Sequence, residues 1–176
     1  TLKVAELVVS ELEKYGVSKS VYLKWSGRGI HVHIHEKALS PDLYKRIHPI
    51  DASYAIVEYI LGKVRSQVVK LNEKYDTSIK IENLMDPQRV FTIPLSLHRE
   101  LDVVCIAFKP EDLSSFDISW VSPEKYRHSS CWRDYVEGEA DELAIRAYSV
   151  IGPYPFKRRR KRKHPPLDEQ ILKYIK

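Results

Sequence analysis

Residues 20–35, with the sequence SVYLKWSGRGIHVHIH, decide which fold this chain adopts. Residues 20–25 are rich in β-forming side chains, and residues 30–35 alternate strictly between apolar and imidazole side chains. The two glycines at positions 27 and 29 are typical of a turn. The stretch therefore predicts a β-hairpin in which Val32 and Ile34 face the core and the histidines face away from it.

Helical patterns flank this hairpin. Apolar residues recur every three or four positions over residues 2–15, where Gly16 follows as a C-terminal cap, and again over residues 52–75. Ser40 before Pro41 predicts a short helix between these two segments. A fourth pattern, mostly helical, covers residues 123–150.

Three more strands are predicted, at residues 79–84, 89–93 and 103–108, and the last is a continuous apolar run that fits a buried strand. This order describes an α+β domain whose central sheet is mixed or antiparallel and is flanked by helices. A chain of 176 residues with 43% hydrophobic residues fills one such core. We expect the core to span residues 1–156 and residues 157–176 to form a basic tail with a candidate short C-terminal helix.

The charge is uneven along the chain. The net charge is +5, yet the segment at residues 157–163 alone is a run of positive side chains, so the remainder is nearly neutral. Such a run is either a solvated connector or a contact with the phosphate backbone of nucleic acid. The candidate nucleic-acid-binding residues are Lys157, Arg158, Arg159, Arg160, Lys161, Arg162 and Lys163.

Composition also excludes several classes of protein. The aromatic content of 10% argues against a disordered chain. No apolar run reaches the roughly 20 residues of a membrane span, so we expect a cytoplasmic protein without a membrane partner. Cys105 and Cys131 lack the spacing of a disulfide framework or a cysteine-rich zinc site, so zinc has no support.

The hairpin also carries the sharpest chemical signal. Ser26, Arg28 and the backbone N–H groups of the glycine turn are suited to a triphosphate. Two other interpretations stay open: an exposed hairpin face that happens to carry histidines, and a transition-metal site. For the metal site, His31, His33 and His35 would supply imidazoles from one face of the strand.

Two motifs together resemble the archaeo-eukaryotic primase superfamily, and in particular the small catalytic subunits of archaeal DNA primases. The turn motif, residues 26–33 (SGRGIHVH), is similar to the family's serine–glycine, glycine–hydrophobic–histidine motif. The proline–histidine motif, residues 86–98 (DPQRVFTIPLSLH), is similar to the segment that follows the family's third catalytic acid. Residues 103–108 and 110–117 also look like the family's continuation, so the resemblance covers roughly residues 21–117.

The resemblance implies a primase-polymerase core, that is, a nucleotidyltransferase that adds nucleotides from NTP or dNTP along a DNA template. Two divalent ions, Mg²⁺ or Mn²⁺, would assist the attack of a growing 3′-hydroxyl on the α-phosphate of a bound nucleotide. This reaction depends on positioning and charge neutralisation. A primase large subunit or a helicase is an implied partner. His31 and Glu82 are the candidate catalytic residues, Glu82 is the candidate metal ligand and Asp86 a weaker one. The implied nucleotide-binding residues are Ser26, Arg28, His31, Arg89 and His98.

The chain departs from the family in three respects. The position of the third acid is open, because the sequence offers Glu82, Asp76 and Asp86, of which the predicted strand favours Glu82. No Asp-x-Asp precedes Ser26, and Thr92 stands where the family often has a basic residue. We expect that the N-terminal part of the core is missing from these residues or that this member has lost its metal site, and that the chain alone is inactive as a polymerase. The alternatives are a catalytically inactive nucleic-acid-binding module of the same fold and a histidine-based metalloprotein. Glu82 also reads as a solvent-facing residue, and Asp86 as a turn residue.

Overall fold

The computed structural model describes residues 1–86, 88 and 90–155. Its helices are α1 (Leu2–Lys14), α2 (Pro41–Tyr44), α3 (Pro49–Tyr75) and α4 (Asp141–Ile151), and its strands are β1 (Val21–Trp25), β2 (Ile30–Ile34) and β3 (Ile106–Phe108). Short 3₁₀ turns cover Glu36–Ala38, Pro110–Ser115, Ile118–Val121 and Ser130–Arg133. Helices combined with a small antiparallel sheet confirm the predicted α+β class.

The predicted hairpin forms two neighbouring strands of this sheet, whose strand order is β2-β1-β3 with both pairings antiparallel. Leu23 in the central strand lies opposite Val32 on one side and Phe108 on the other. Leu23 and Phe108 are buried. Because side chains alternate along a strand, Lys24 and its cross-strand partner His31 belong to the opposite face, which we call the polar face.

The core lies between the apolar face of the sheet and the helices. Leu12 of α1, Ile56 of α3 and Leu143 of α4 belong to the same buried cluster as Leu23 and Phe108. The cap predicted at Ser40 is also present, since its hydroxyl accepts a hydrogen bond from the N–H of Leu43 at 3.2 Å. Burial of the amphipathic helix faces against the sheet supplies the main stabilising contribution to this layer.

Irregular segments reach the polar face of the sheet. Nζ of Lys24 donates a hydrogen bond to the carbonyl of Thr92 at 3.0 Å. At the outer edge of β3, Nδ1 of His128 accepts from the N–H of Ala107 at 3.0 Å, and the N–H of Ser129 donates to the carbonyl of Ala107 at 2.8 Å. Irregular segments thus pair a side chain of the polar face and the backbone groups at the open edge of β3.

The strands predicted at residues 79–84 and 89–93 are wrong for the residues that the structure describes there, which are irregular. The amide side chain of Asn72 in α3 occupies both backbone groups of Ile79, with Nδ2 on its carbonyl at 2.9 Å and Oδ1 on its N–H at 3.1 Å. Ile79 and Ile81 then pack against Val64 and Val68 of α3. The apolar residues Ile79 and Ile81 therefore serve contact with a helix, and a side chain pairs the backbone groups of Ile79.

The predicted helix over residues 123–150 is correct only for its last third, α4. Residues 123–140 are irregular apart from a 3₁₀ turn, which Ser129 begins by accepting a hydrogen bond from the N–H of Cys131. Gly138 has a φ of +76°, which ends any helical path before α4. Of the strand predicted at residues 103–108, residues 104–108 are buried, but the paired part is only β3, and Val104 forms an isolated bridge with Leu97.

Among the described helices, none combines the length and the apolar character that a bilayer crossing needs. The predicted domain boundary at residues 156 and 157 lies outside the described residues, and so do the basic segment at 157–163 and the candidate helix that follows it.

Candidate functional site

The turn motif lies at the tip of the hairpin and is fixed by local hydrogen bonds. The N–H of Ser26 donates to the carbonyl of Gly29 at 3.3 Å, and the indole N–H of Trp25 donates to the carbonyl of Gly27 at 3.0 Å. Gly27 has a φ of +128°, which side-chain-bearing residues rarely adopt. Glycine is therefore required at this position of the turn.

Ser26 and His31 are brought together across the turn. Oγ of Ser26 and Nε2 of His31 lie 2.9 Å apart, within hydrogen-bond distance. His31 lies on the polar face, as the predicted strand alternation requires, and it is solvent-exposed. The pair places a hydroxyl and an imidazole at the open end of the polar face.

The proline–histidine motif approaches this turn from another part of the chain. Its end is held against residues 103–105: the N–H of Leu95 donates to the carbonyl of Cys105 at 2.6 Å, and the N–H of His98 donates to that of Val103 at 2.9 Å. Leu95 has a φ of +70°, an uncommon conformation for a residue with a side chain. These contacts fix the position from which His98 projects.

The tautomer of His98 follows from its backbone contacts. Its Nδ1 accepts hydrogen bonds from the N–H groups of Glu100 and Leu101, both at 3.1 Å. A neutral imidazole that accepts at Nδ1 carries its proton on Nε2. His98 therefore presents an N–H donor at Nε2.

The ring of His98 lies directly against Gly27. A Cβ added at Gly27 would overlap the ring and would stand 2.8 Å from Nε2. The two motifs, far apart in the sequence, thus meet at one corner. We call this group of residues, Ser26, Gly27, Arg28, His31 and His98, the hairpin corner.

Arg28 is paired with an acid of the second segment. One of its terminal nitrogens lies 2.7 Å from a carboxylate oxygen of Glu100, and the other oxygen of Glu100 lies 2.8 Å from Arg99. The Arg28 side chain is 71% exposed, so the ion pair is solvated and contributes little to stability. An incoming anion can compete for this guanidinium at low cost.

The polar face behind the corner carries unusual protonation chemistry. Burial, together with the charges of Lys24 and His31, lowers the pKa of His33 to about 3. Its ring stacks on Tyr22 with centroids 4.9 Å apart, and its Nε2 is buried without a hydrogen-bond partner among the described residues. His33 is therefore neutral at physiological pH.

The histidines at positions 31, 33 and 35, of which the last lies just after β2, have separate partners. His31 contacts Ser26, His33 stacks on Tyr22, and Nδ1 of His35 accepts from the N–H of Lys37 at 3.0 Å. Within the described part of the chain, no group of three or more histidine, cysteine, aspartate or glutamate side chains is placed to hold a metal ion.

The candidate carboxylates lie in the irregular segment that follows α3. Glu82 is exposed, and it lies on coil where a strand is predicted. Oδ1 of Asp86 accepts from the N–H of Gln88 at 2.9 Å, as in a turn. The structure thus places Glu82 on exposed coil and Asp86 in a turn, and the two metal ions that the resemblance implies stay a prediction. Arg89 lies outside the described residues.

The sequence pattern does not predict that Lys24, Phe91 and Glu100 lie near the hairpin corner. Strand alternation does indicate that Lys24 shares the polar face with the histidines. The burial of Lys24, however, depends on segments that are distant in the sequence. The ring of Phe91 lies 5.7 Å from that of His33 and 6.4 Å from that of His31, centroid to centroid. Neither this contact nor the pairing of Glu100 with Arg28 has a sequence signature.

Comparison with known proteins adds no relative. A scan against protein-family models, a search of curated proteins and a search of solved structures each found no match to this chain.

Proposed function

We propose that this chain is the core of a primase-type nucleotidyltransferase and that its hairpin corner binds the triphosphate of a nucleotide. The observation that carries the proposal is the contact of His98 with Gly27, because it joins the two motifs on which the family resemblance depends. The resemblance is a likeness of sequence motifs, and the contact is a separate, spatial observation in its favour.

The chemistry of the corner suits a polyphosphate. Arg28 supplies a planar guanidinium, which is matched to phosphate oxygens. Ser26 supplies a hydroxyl, and His98 supplies the N–H at Nε2. Glycine at position 27 lets the His98 ring approach the turn backbone closely. These groups would hold and orient the triphosphate, and orientation is the main protein contribution to phosphoryl transfer.

A second candidate is a catalytically inactive nucleic-acid-binding module of the same fold. The observation that favours it is the placement of Glu82 and Asp86, which form no metal-binding group among the described residues. No metal-assisted step is assigned to this chain. Calorimetric titration separates the two candidates, because a module that only binds nucleic acid would bind an oligonucleotide without binding ATP, whereas primer extension is expected to be negative for this chain alone in either case.

The test of the nucleotide site is His98→Ala, measured by calorimetric titration with ATP. Loss of a donor to a charged phosphate is expected to weaken binding about tenfold or more. The matched control is His48→Ala, because Nδ1 of His48 likewise accepts a backbone N–H, from Ile50 at the start of α3. Equal ATP affinity of the wild type and a folded His98→Ala variant would refute the proposed site.

A further inference from the structure

Lys24 is a buried cation in the central strand of the sheet. It is only 4% exposed, and burial lowers its pKa. Within the described part of the chain, no carboxylate lies within 4.0 Å of its Nζ. Its contacts are the carbonyl of Thr92 at 3.0 Å and the ring of Phe91, whose centroid is 5.0 Å away. A buried ammonium of this kind is unfavourable unless a negative group approaches it.

Residues 90–93, which we call the strap, lie over this ammonium with little burial of their own. Val90, Phe91 and Ile93 are 91%, 61% and 73% exposed. The chain beyond the strap is held to residues 103–105 by backbone hydrogen bonds of Leu95, Ser96 and His98. The strap is therefore a weakly buried segment next to a fixed support. The carbonyl of Ile93 stays hydrogen-bonded to Ser96, so lifting residues 90–92 breaks the Lys24–Thr92 hydrogen bond and the ring contacts of Phe91.

We propose that Lys24 is a further phosphate-binding residue of the hairpin corner, reached when the strap moves and a phosphate oxygen replaces the carbonyl of Thr92. This inference rests on the proposed function, because the corner has to receive the phosphate first. Phe91 is then the residue that holds the strap closed over the ammonium.

The position of Lys24 favours the phosphates of a bound nucleotide. Lys24 is the cross-strand partner of His31, whose Nε2 contacts Ser26, so the ammonium lies one strand away from the corner. An ammonium has three N–H donors, and the Thr92 carbonyl takes one of them. His33 is neutral at physiological pH, so in this pair of neighbouring side chains Lys24 carries the positive charge. A phosphate oxygen would supply the negatively charged partner that Lys24 lacks among the described residues.

The test measures the affinity of the folded chain for inorganic tripolyphosphate and, separately, for a short oligothymidylate. Lys24→Met removes the charge but keeps the length of the buried side chain, and it is expected to weaken tripolyphosphate binding about tenfold or more. Phe91→Ala loosens the strap, and it is expected to strengthen binding several-fold, because the competent state becomes more populated. The control is Lys63→Met, since Lys63 also lies over an aromatic ring, that of Tyr59 at 5.0 Å.

The outcomes separate this inference from the proposed function. If His98→Ala weakens tripolyphosphate binding while Lys24→Met and Phe91→Ala bind like the wild type, the corner stands and the role of Lys24 is refuted. If the wild type binds no tripolyphosphate, both fall. If Lys24→Met weakens only oligothymidylate binding, Lys24 binds the phosphodiester backbone of a nucleic acid. This result would overturn the assignment of Lys24 to the phosphates of a nucleotide. Should Lys24→Met fail to fold, Phe91→Ala serves as the deciding variant, because the exposed ring of Phe91 is not needed for the core. Tripolyphosphate binding by Phe91→Ala that is unchanged or weaker would then refute the proposed movement of the strap.

Discussion

Substitution of Gly27 by alanine tests the contact on which the hairpin corner depends. The new methyl group would overlap the ring of His98, and the backbone would have to keep a φ of +128°. A residue held in such a sparsely populated region costs about 1–3 kcal/mol, and displacement of the ring adds to this. We expect a total loss of about 2–3 kcal/mol in the free energy of unfolding.

The same turn provides the control. Gly29 has no positive φ, and an added Cβ there meets nothing within 4 Å. Gly29→Ala is therefore expected to change stability by no more than about 0.5 kcal/mol. In a thermal melt, Gly27→Ala should lower Tm by roughly 5–10 °C, since a chain of this size loses about 2–4 °C per kcal/mol.

Nucleotide affinity supplies the second measurement. Because the substitution pushes His98 away from the turn, ATP binding of Gly27→Ala should fall about as far as that of His98→Ala. If Gly27→Ala and Gly29→Ala gave the same Tm and the same ATP affinity, the close approach of His98 to the turn would be refuted.

Four further outcomes follow from the structure and the sequence. The pKa of His33 is about 3 in the folded chain against an ordinary value of 6.5, so its contribution to stability is present above pH 6.5 and is lost as the pH falls. Between pH 7.5 and 5, denaturant titrations should show that the free energy of unfolding falls by about 2 kcal/mol more for the wild type than for His33→Gln. Partial burial raises the pKa of Glu139, but hydrogen bonds from Ser20, Ser18 and Lys19 outweigh this and hold the pKa below its ordinary value of 4.5. Glu139→Gln should therefore destabilise the protein by about 1–2 kcal/mol at neutral pH, and by less as the carboxylate protonates in acid. Gly62→Ala, inside α3 and with nothing within 4 Å of the new Cβ, should raise stability by about 0.5–1 kcal/mol in the same titration. Deletion of residues 157–176 should reduce the slope of log K against log salt for DNA binding by roughly 2–4, as measured by fluorescence anisotropy, and equal slopes would leave the basic segment a solvated connector.

Local rules predict the elements whose backbone is satisfied within the element itself. The hairpin at residues 20–35, α1 and α3 follow from side-chain periodicity and from turn and cap residues close in sequence. The cap at Ser40 is of the same kind, because the hydroxyl and the N–H that it binds are three residues apart. In these stretches, propensity, pattern and capping agree, so the sequence is sufficient.

Prediction fails where the backbone finds a partner, or takes a turn, that the apolar pattern does not indicate. Residues 79–84 have the alternation of a strand, yet the amide of Asn72 pairs both backbone groups of Ile79. Residues 123–140 lack helix because caps such as Ser129 and the positive φ of Gly138 divert the backbone. The periodicity of apolar residues indicates which side of a segment is buried. It does not indicate which partner forms hydrogen bonds with the backbone N–H and C=O groups of that segment.

The candidate site shows the same division. Alternation along β2 is enough to predict that His31 is turned away from the core, next to the glycine turn. The contact of Gly27 with His98 and the ion pair of Arg28 with Glu100 depend on where residues 95–101 are held, and that is determined by hydrogen bonds to residues 103–105. The roles that the resemblance assigns to Glu82, Asp86 and Arg89 stay predictions.

The imidazole of His128 at the edge of β3 bears on aggregation. Nδ1 of this ring accepts the outward N–H of Ala107, so it occupies a position that a neighbouring strand would otherwise take. Burial lowers the pKa of His128, which keeps Nδ1 an acceptor at neutral pH. In sufficiently acidic solution the ring gains a second proton, Nδ1 can no longer accept, and the N–H of Ala107 becomes available to another chain. Acid should therefore promote edge-to-edge association of protein molecules, and purification and storage are best kept near neutral pH.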